Sequence, residues 1–487
     1  MINTKQILRI HGVLLALLGG MMLLPLPFSF YFGSGDHWPI LGSALICIAL
    51  GALIFFSVRN AEKKIARRDG FLIVASGWLA MVSFGTLPYL LSGAIPSFTD
   101  AFFETMSGMT TTGASILTDI EAQPEGILFW RSLTQWIGGM GIIVLTVAIF
   151  PLLGIGGVEL FTAEAPGPTS DKIHPRIQET AKRLWLIYVG LTALQALLLK
   201  LAGMSFYEAI NHALTTMATG GFSTRNASIA AFESPVIQYI IIVFMFLAGV
   251  NYSITYMALK RKFRKVWHND EFRAYAATVL GFIAIFTVSV FYIQQGQEGA
   301  SFEQAFRDSA FQIISLITTT GYVSADYTAW SPALTMLCFI LLFLGASAGS
   351  TAGGIKFIRH LVFFKNSILE FKRLVHPRAI VPLKINGEMV AGKIITHVII
   401  FLLLYMMIFL AGSVFMSLLG YDFETSVGAV ATSLGNVGPG IGKVGPVDNF
   451  AWLSPSAKWG LSFLMLLGRL ELFTILVLLT PYFWRSN

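Results

Sequence analysis

The sequence predicts an all-α polytopic membrane protein built from four repeats around one axis, each a span, a re-entrant segment and a second span. Three observations predict it. Of 487 residues, 55% are hydrophobic and 12% charged, against about 25% charged in soluble domains, so lipid is the solvent this surface fits. The apolar residues fall into ten runs of the length a helix needs to cross a bilayer, about 20 residues. Four further stretches between those runs are too apolar for ordinary loops, and they align on one glycine each.

The runs lie at about 10–31, 38–57, 71–93, 127–153, 184–203, 235–258, 274–293, 331–358, 394–419 and 457–484. The first, within MINTKQILRIHGVLLALLGGMMLLPLPFSFYFG, has a basic start but no small-x-small cleavage site, and reads as a retained span. Basic segments 59–70, 260–265 and 365–378 all follow even-numbered runs, on the same side as Lys5 and Arg9. The other side carries Asp36, Asp119, Glu121 and Glu125. The positive-inside rule then puts both termini in the cytoplasm. It also accounts for the net charge of +7 without nucleic acid as a partner. Cys47 and Cys338 both lie inside apolar runs, which excludes a disulfide framework or a cysteine metal site.

The four stretches are 97–115, 205–223, 301–324 and 422–440. Irregular backbone at membrane depth is tolerated only against protein or water. Aligned on Gly113, Gly221, Gly321 and Gly438, each has a phenylalanine fifteen positions earlier: Phe98, Phe206, Phe306 and Phe423. Asp100, Glu208, Asp308 and Thr425 stand two positions after these, followed by Ala101, Ala209, Ser309 and Ser426. Such a register marks an internal repeat. A polar residue able to cap opens a short helix, where an acid also suits the positive end. The helix ends just before the glycine, and four such units around one axis make a pore. The strips TTTGAS, ATGGFS, TTTGYVS and GNVGPG each place a glycine where side chains would forbid the torsions. Rows of carbonyls there can replace the water shell of a cation.

The second spans carry small residues at related positions: Gly141, Gly249 and Gly349, 28 after the aligned glycine, and Gly468, 30 after. Residues 345–354, GASAGSTAGG, hold four glycines and no large side chain, so a continuous helix is not expected there and the backbone should line an aqueous path. GSTAGGIK lacks the Gly-Lys-Ser/Thr ending and preceding strand of a phosphate loop. Arg469 lies about 20 Å into the last run at 1.5 Å per residue, where a charge faces a cavity or a partner. Under the filter it would be an electrostatic barrier that moves on gating. Glu471, two positions on, lies on another helix face and is a poor partner. His212 and Glu104, within the short helices, read as scaffolding. No paired acids, Ser/His pair or HExxH spacing suggests a membrane-embedded enzyme.

With these strips, the segments AEAPGP (163–168), RIQETAKRLWLIYV (176–189), QWIGGMGIIVL (135–145) and GRLELFTILVLLTPYFWR (468–485) make the chain similar over nearly its whole length to bacterial Trk-type potassium uptake proteins. These belong to the superfamily of Trk, Ktr and HKT transporters. The resemblance implies helix–pore loop–helix repeats at 71–155, 156–268, 269–378 and 379–487, after a two-helix hairpin at 1–70 outside the pore. It implies one filter glycine per repeat, Gly113, Gly221, Gly321 and Gly438. Potassium would sit among the carbonyls of Thr111, Thr112, Thr219, Gly220, Thr319, Thr320, Asn436 and Val437. The fourth strip departs from Thr-Thr-Gly, so its hydroxyl ring is incomplete. Gly113, where sodium-permeable plant relatives have serine, favours potassium. The glycine-rich loop, with Gly345, Gly349, Gly353, Gly354 and Lys356, would be an intramembrane gate working with Arg469.

The function this implies is potassium uptake across the bacterial inner membrane, with a sodium-permeable or ion-coupled relative as the alternative. No cofactor is expected in the chain, potassium being cargo. The implied partners are a second copy, in a homodimer, and a cytosolic nucleotide-binding regulatory subunit of the Trk A type. Basic loops 260–265 and 365–378 are its candidate docking surfaces.

Overall fold

A computed structural model describes residues 2–58, 67–144, 177–295, 301–379 and 381–485. The stretches 59–66, 145–153 and 163–168 invoked above lie outside these residues. Helix α1 (Thr4–Met21) opens at Asn3, whose side chain accepts from the Gln6 amide, and α2 (Leu26–Phe32) continues it past Pro25. It packs along α3 (His37–Ser57) through small residues. A Cβ on Gly12, Gly19 or Gly51 would come closer than 3.0 Å to the facing helix's backbone, so only glycine admits this approach. Buried Asp36, before α3, accepts from the Ile127 amide at 2.8 Å and ties the hairpin to the first repeat.

The first repeat comprises α4 (Arg67–Gly85) with α5 (Leu87–Ser92), then short α6 (Phe98–Met109), then α7 (Glu125–Val144). The α4–α5 break falls before Pro88, which has no amide to continue the ladder. The second repeat follows as α8 (Ile177–Leu201), short α9 (Phe206–Met217), α10 (Pro235–Gly249) and α11 (Tyr252–Leu259), with α12 (Phe263–Trp267) beyond. The third has α13 (Asp270–Gln294), short α14 (Phe302–Ile317), α15 (Pro332–Leu341) and α16 (Phe357–Val375). A two-stranded antiparallel hairpin, β1 (Lys384–Ile385) and β2 (Glu388–Met389), leads to α17 (Gly392–Leu418). Short α18 (Phe423–Gly435), α19 (Pro455–Arg469), α20 (Phe473–Leu476) and α21 (Pro481–Trp484) complete the fourth.

Burial separates two kinds of helix. The long spans bury only 28% to 50% of their most apolar windows, leaving the rest to lipid. The short helices are enclosed: every residue from Ala101 to Met109 is buried, including Glu104, Thr105 and Ser107. Polar residues inside an apolar protein mark its functional axis.

Three expectations are corrected. The runs 235–258 and 457–484 are not straight spans: α10 meets α11 at 110°, and α19 meets the segment after it at 109°. At the first bend, the break frees backbone groups that the glycine-rich loop then takes up. Gly249 O accepts from Ser347 N at 3.0 Å, and Tyr252 N donates to Gly349 O at 3.2 Å. At the second, Glu471 and Leu472 both adopt positive φ, 54° and 51°, which ends the helix. In the run 331–358, helix α15 stops at Leu341 and residues 342–356 are irregular, as the small-residue content requires.

Third, the acids are not the helix caps. Ser97, Ser205 and Asp422 are, each accepting from the amide three residues on. Asp100 and Glu208 sit at that third position, Glu208 closing a capping box. Helix α14 begins four residues before the aligned Phe306, so Asp308 lies a turn further in and is buried.

Candidate ion filter and the loop beneath it

Each short helix ends in the same way. The residue two before the aligned glycine has left-handed torsions: φ is 54° at Thr111, 55° at Thr219, 54° at Thr319 and 52° at Asn436. The next amide reaches back five residues to a helix carbonyl. Thr112 N donates to Ser107 O (2.8 Å), Gly220 N to Thr215 O (2.9 Å), Thr320 N to Ser315 O (2.8 Å) and Val437 N to Thr432 O (3.0 Å). This is the Schellman ending, which usually takes glycine at the left-handed position. A β-branched threonine there is an outlier. Three threonines and an asparagine held so in register are backbone strain of the kind that collects at functional sites.

The aligned glycines are left-handed too, with φ of 83° at Gly113, 76° at Gly221, 76° at Gly321 and 103° at Gly438. Each faces a carbonyl of the next strip. A Cβ on Gly113 would come closer than 3.0 Å to Gly220 O, on Gly221 to Thr320 O, on Gly321 to Val437 O, and on Gly438 to Thr112 O. The chain of contacts runs from the first strip to the fourth and back, so the four strips close a ring. All the expected filter residues are brought together there, and any side chain on the glycines would displace a ring carbonyl.

Side chains fix the strips from behind. Hydroxyls pair within two strips, Thr110 with Thr112 and Thr318 with Thr320, both at 2.8 Å. In the fourth, Asn436 Nδ2 donates instead to Thr112 Oγ1 at 3.0 Å and Met465 O at 2.9 Å. Nine residues before each glycine, the short helix sends a side chain to its own strip. Glu104 accepts from Ser115 Oγ and Ile116 N, His212 meets Ser223 Oγ at 2.9 Å, and Gln312 donates to Ser324 Oγ at 3.3 Å. The fourth has Ala429, and its strip lies instead against backbone at Gly428. Glu104 and His212 are therefore scaffolding, as expected. Sequence reasoning missed Arg131 and Gln135 of α7, which touch the second strip. An arginine at position 131 inside an apolar run was the available signal.

At the mouth the acids are largely paired. Asp100 meets Lys458 at 2.6 Å across the first and fourth repeats, and Glu208 meets Arg225 at 2.6 Å.

Directly beneath the ring lies the glycine-rich loop. Gly353 N donates to Thr319 Oγ1 at 2.7 Å, and a Cβ on Gly353 would be 2.6 Å from Asn436 Cβ. Thr351 Oγ1 donates to Met217 O at 2.9 Å, and Ala348 N donates to buried Glu271 at 2.7 Å. Lys356 Nζ turns back onto Ala352 O. Gly345 and Gly354 pack against each other, and Gly349 packs against Asn251. Arg469 reaches this loop: it donates to Thr351 O and, from its other nitrogen, to Gly138 O of α7, both at 2.9 Å. Its partners are carbonyls rather than an acid. Glu471 pairs with Arg359. The space left between Gly353, Lys356, Gly468 and Arg469 is about 10 Å³, at the lower limit for one water.

The small residues of the second spans work by contact. Gly468 packs on Leu434 O and Gly249 on Thr318. In α7, Gly138 and Gly139 pack against Met109 and Ala218, while the aligned Gly141 lies outside the described side chains.

Four enclosed helices aimed at a closed ring of strained strips, with an occluding loop below, define a pore-loop membrane transport protein. A family described as cation transport protein, TrkH, matches residues 39–485. The chain belongs to that family. It is 41% identical over 488 residues to the Trk system potassium uptake protein TrkH of Salmonella typhimurium, with 99% of each chain covered. It is 32% identical over 487 residues to TrkG of Escherichia coli, again with 99% of each covered. The crystal structure of the potassium transporter TrkH from Vibrio parahaemolyticus superposes with a TM-score of 0.90 at 37% identity, over 99% of this chain and 100% of that one.

Proposed function

We propose that this multi-pass membrane protein takes up potassium, with the ring of strips as its filter and the glycine-rich loop as its gate. The observation that carries the reading is the closed ring: the carbonyls of Thr112, Gly220, Thr320 and Val437 each lie against the aligned glycine of a neighbouring strip, so the four strips close on one another. Backbone oxygens held by strained torsions can replace a cation's hydration shell without collapsing onto it. The short helices support this, since their negative C-terminal ends converge beneath the ring. Thr111, Thr219, Thr319 and Asn436 would supply the next level. The protein is not an enzyme.

The path is closed in this arrangement. Gly345, Gly349, Gly353, Gly354 and Lys356 form the plug, and Arg469 both pins it and places a positive charge under the ring. Opening requires the loop to leave its bonds to Thr319, Met217 and Arg469. The basic segments 260–265 and 365–378 on one side support an orientation with both termini in the cytoplasm of a bacterium, in its inner membrane. A nucleotide-binding regulatory subunit of the Trk A type would act on that face, and the membrane chain would pair with a second copy.

The test is complementation of a bacterium lacking potassium uptake, grown at low external potassium with the regulatory subunit present. Growth is expected. No growth, with the protein present in the membrane, overturns the reading.

A further inference from the structure

Arg131 lies 131 residues into an apolar chain and almost wholly out of solvent, at 2% exposure, against Glu104 at 0%. Its Nε donates to Glu104 Oε1 at 2.6 Å and its NH1 to Ser223 O at 2.9 Å. The guanidinium also stacks on Phe222, 3.6 Å from the ring centre. Gln135, one helical turn on and therefore on the same face of α7, donates to Gly220 O at 2.6 Å and accepts from Phe222 N at 3.0 Å. Glu104, for its part, holds Ser115 Oγ at 3.0 Å and Ile116 N at 2.8 Å.

The arrangement is asymmetric in a telling way. Strips one and three are anchored by hydroxyl pairs that involve Thr112 and Thr320, and strip four by the amide of Asn436. Strip two has Gly220 at that level and no hydroxyl to offer. At that level its support comes from the second helix of the preceding repeat, through Gln135 on Gly220 O, and further out the charged Arg131 joins His212 in holding Ser223. One end of the pair grips strip one and the other grips strip two, so the outer ends of both strips are fixed to each other.

A buried ion pair is poor evidence for stability, because desolvation offsets most of its attraction. Its geometric value is greater: a planar guanidinium has donors in fixed directions and a face that stacks. From this geometry, and resting on the filter reading above, we infer that Glu104 and Arg131 form a positioning pair that sets ion selectivity by bracing the first two strips at a fixed separation. Neither touches the ion; both act through Ser115, Ile116, Phe222 and Ser223. Discrimination between potassium and sodium depends on how firmly the carbonyls hold their spacing, so a loosened brace admits the smaller ion.

The test compares initial rates of potassium and sodium entry in transport-deficient cells that express the full chain with its regulatory subunit. The double variant E104Q/R131Q removes the charges without leaving one unpaired, and its shorter amide cannot reach Ser223 O and Phe222 together. Its potassium-to-sodium rate ratio is expected to fall about tenfold, the scale of one charged hydrogen bond, at an unchanged amount in the membrane. Phe222→Leu, which keeps the pair and removes only the stacked ring, is expected to fall by less. It also decides the matter if the double variant does not accumulate. An unchanged ratio in whichever of the two accumulates overturns the brace. Absence of selective potassium entry by the unmodified protein would overturn the filter reading instead, so the two failures are distinguishable.

Discussion

The ring and the layer under it are built by opposite rules. In the ring, four strips of different sequence adopt one backbone: left-handed at two positions, with one back-reaching hydrogen bond each and a glycine against the next carbonyl. A few residues lower the four second spans diverge. Helix α7 runs on to Val144, α10 and α19 turn by 110° and 109°, and α15 gives way to the loop. On the function proposed above, the difference teaches how one chain separates two tasks. Holding an ion needs equivalent oxygens on all sides. A plug needs only one repeat to enter the axis, with the others shaped to receive it.

The comparison is most severely tested by changing a ring glycine. Gly221→Ala would press a methyl against Thr320 O, and displacing packed backbone costs about 1–3 kcal/mol or more. Potassium-dependent growth is expected to disappear while the protein still reaches the membrane. Normal growth would mean the ring is not on the ion path.

Arg469→Ala removes two hydrogen bonds from a charged donor beneath the ring, each worth about 1.5–3 kcal/mol. Basal potassium leak in vesicles without the regulatory subunit is expected to rise at least about tenfold. Unchanged leak and unchanged regulation would remove Arg469 from the gate. Asn436→Ala takes away the amide shared with Thr112 and Met465, and the residue that tolerates the left-handed position. A loss of about 1–2 kcal/mol in thermal stability is expected, with a smaller fall in uptake than at Gly221.

The smallest effect belongs at the rim. Asp422 caps α18, and the Thr425 amide it accepts from holds its carboxyl below the usual carboxylate range. A lowered folded-state pKa contributes stability that is present above the ordinary carboxylate value and lost as pH falls through the lowered one. Asp422→Ala is expected to cost about 1 kcal/mol at neutral pH, and the difference from the unmodified protein should vanish in acid. Thermal melts at two pH values check this.

Much of the ring was legible because its constraints are written in residue types at fixed spacing. Phe98, Phe206, Phe306 and Phe423 gave the register, and glycine is needed wherever a Cβ would meet a carbonyl. The loop at 345–354 was legible for the same reason, since its content forbids a helix. Hydropathy alone could not see the bends after Gly249 and Arg469. Apolar residues report that a segment avoids water, and they say nothing about its direction. Nor could spacing find Arg131: its partners lie 27 and 92 residues away, and only the closed ring brings them together. The early start of α14 was hidden because Ser301 and Phe302 repeat the Ser-Phe pattern of Ser97 and Phe98 one turn before the aligned phenylalanine.

The central claim, that four strips form one cation filter, is tested most directly by locating an ion. Rubidium, a potassium substitute with a strong anomalous signal, can be placed in crystals of the protein. The account predicts anomalous density on the axis, within the ring made by the carbonyls of Thr112, Gly220, Thr320 and Val437. Density confined to other sites, in a protein that still transports rubidium, would contradict it.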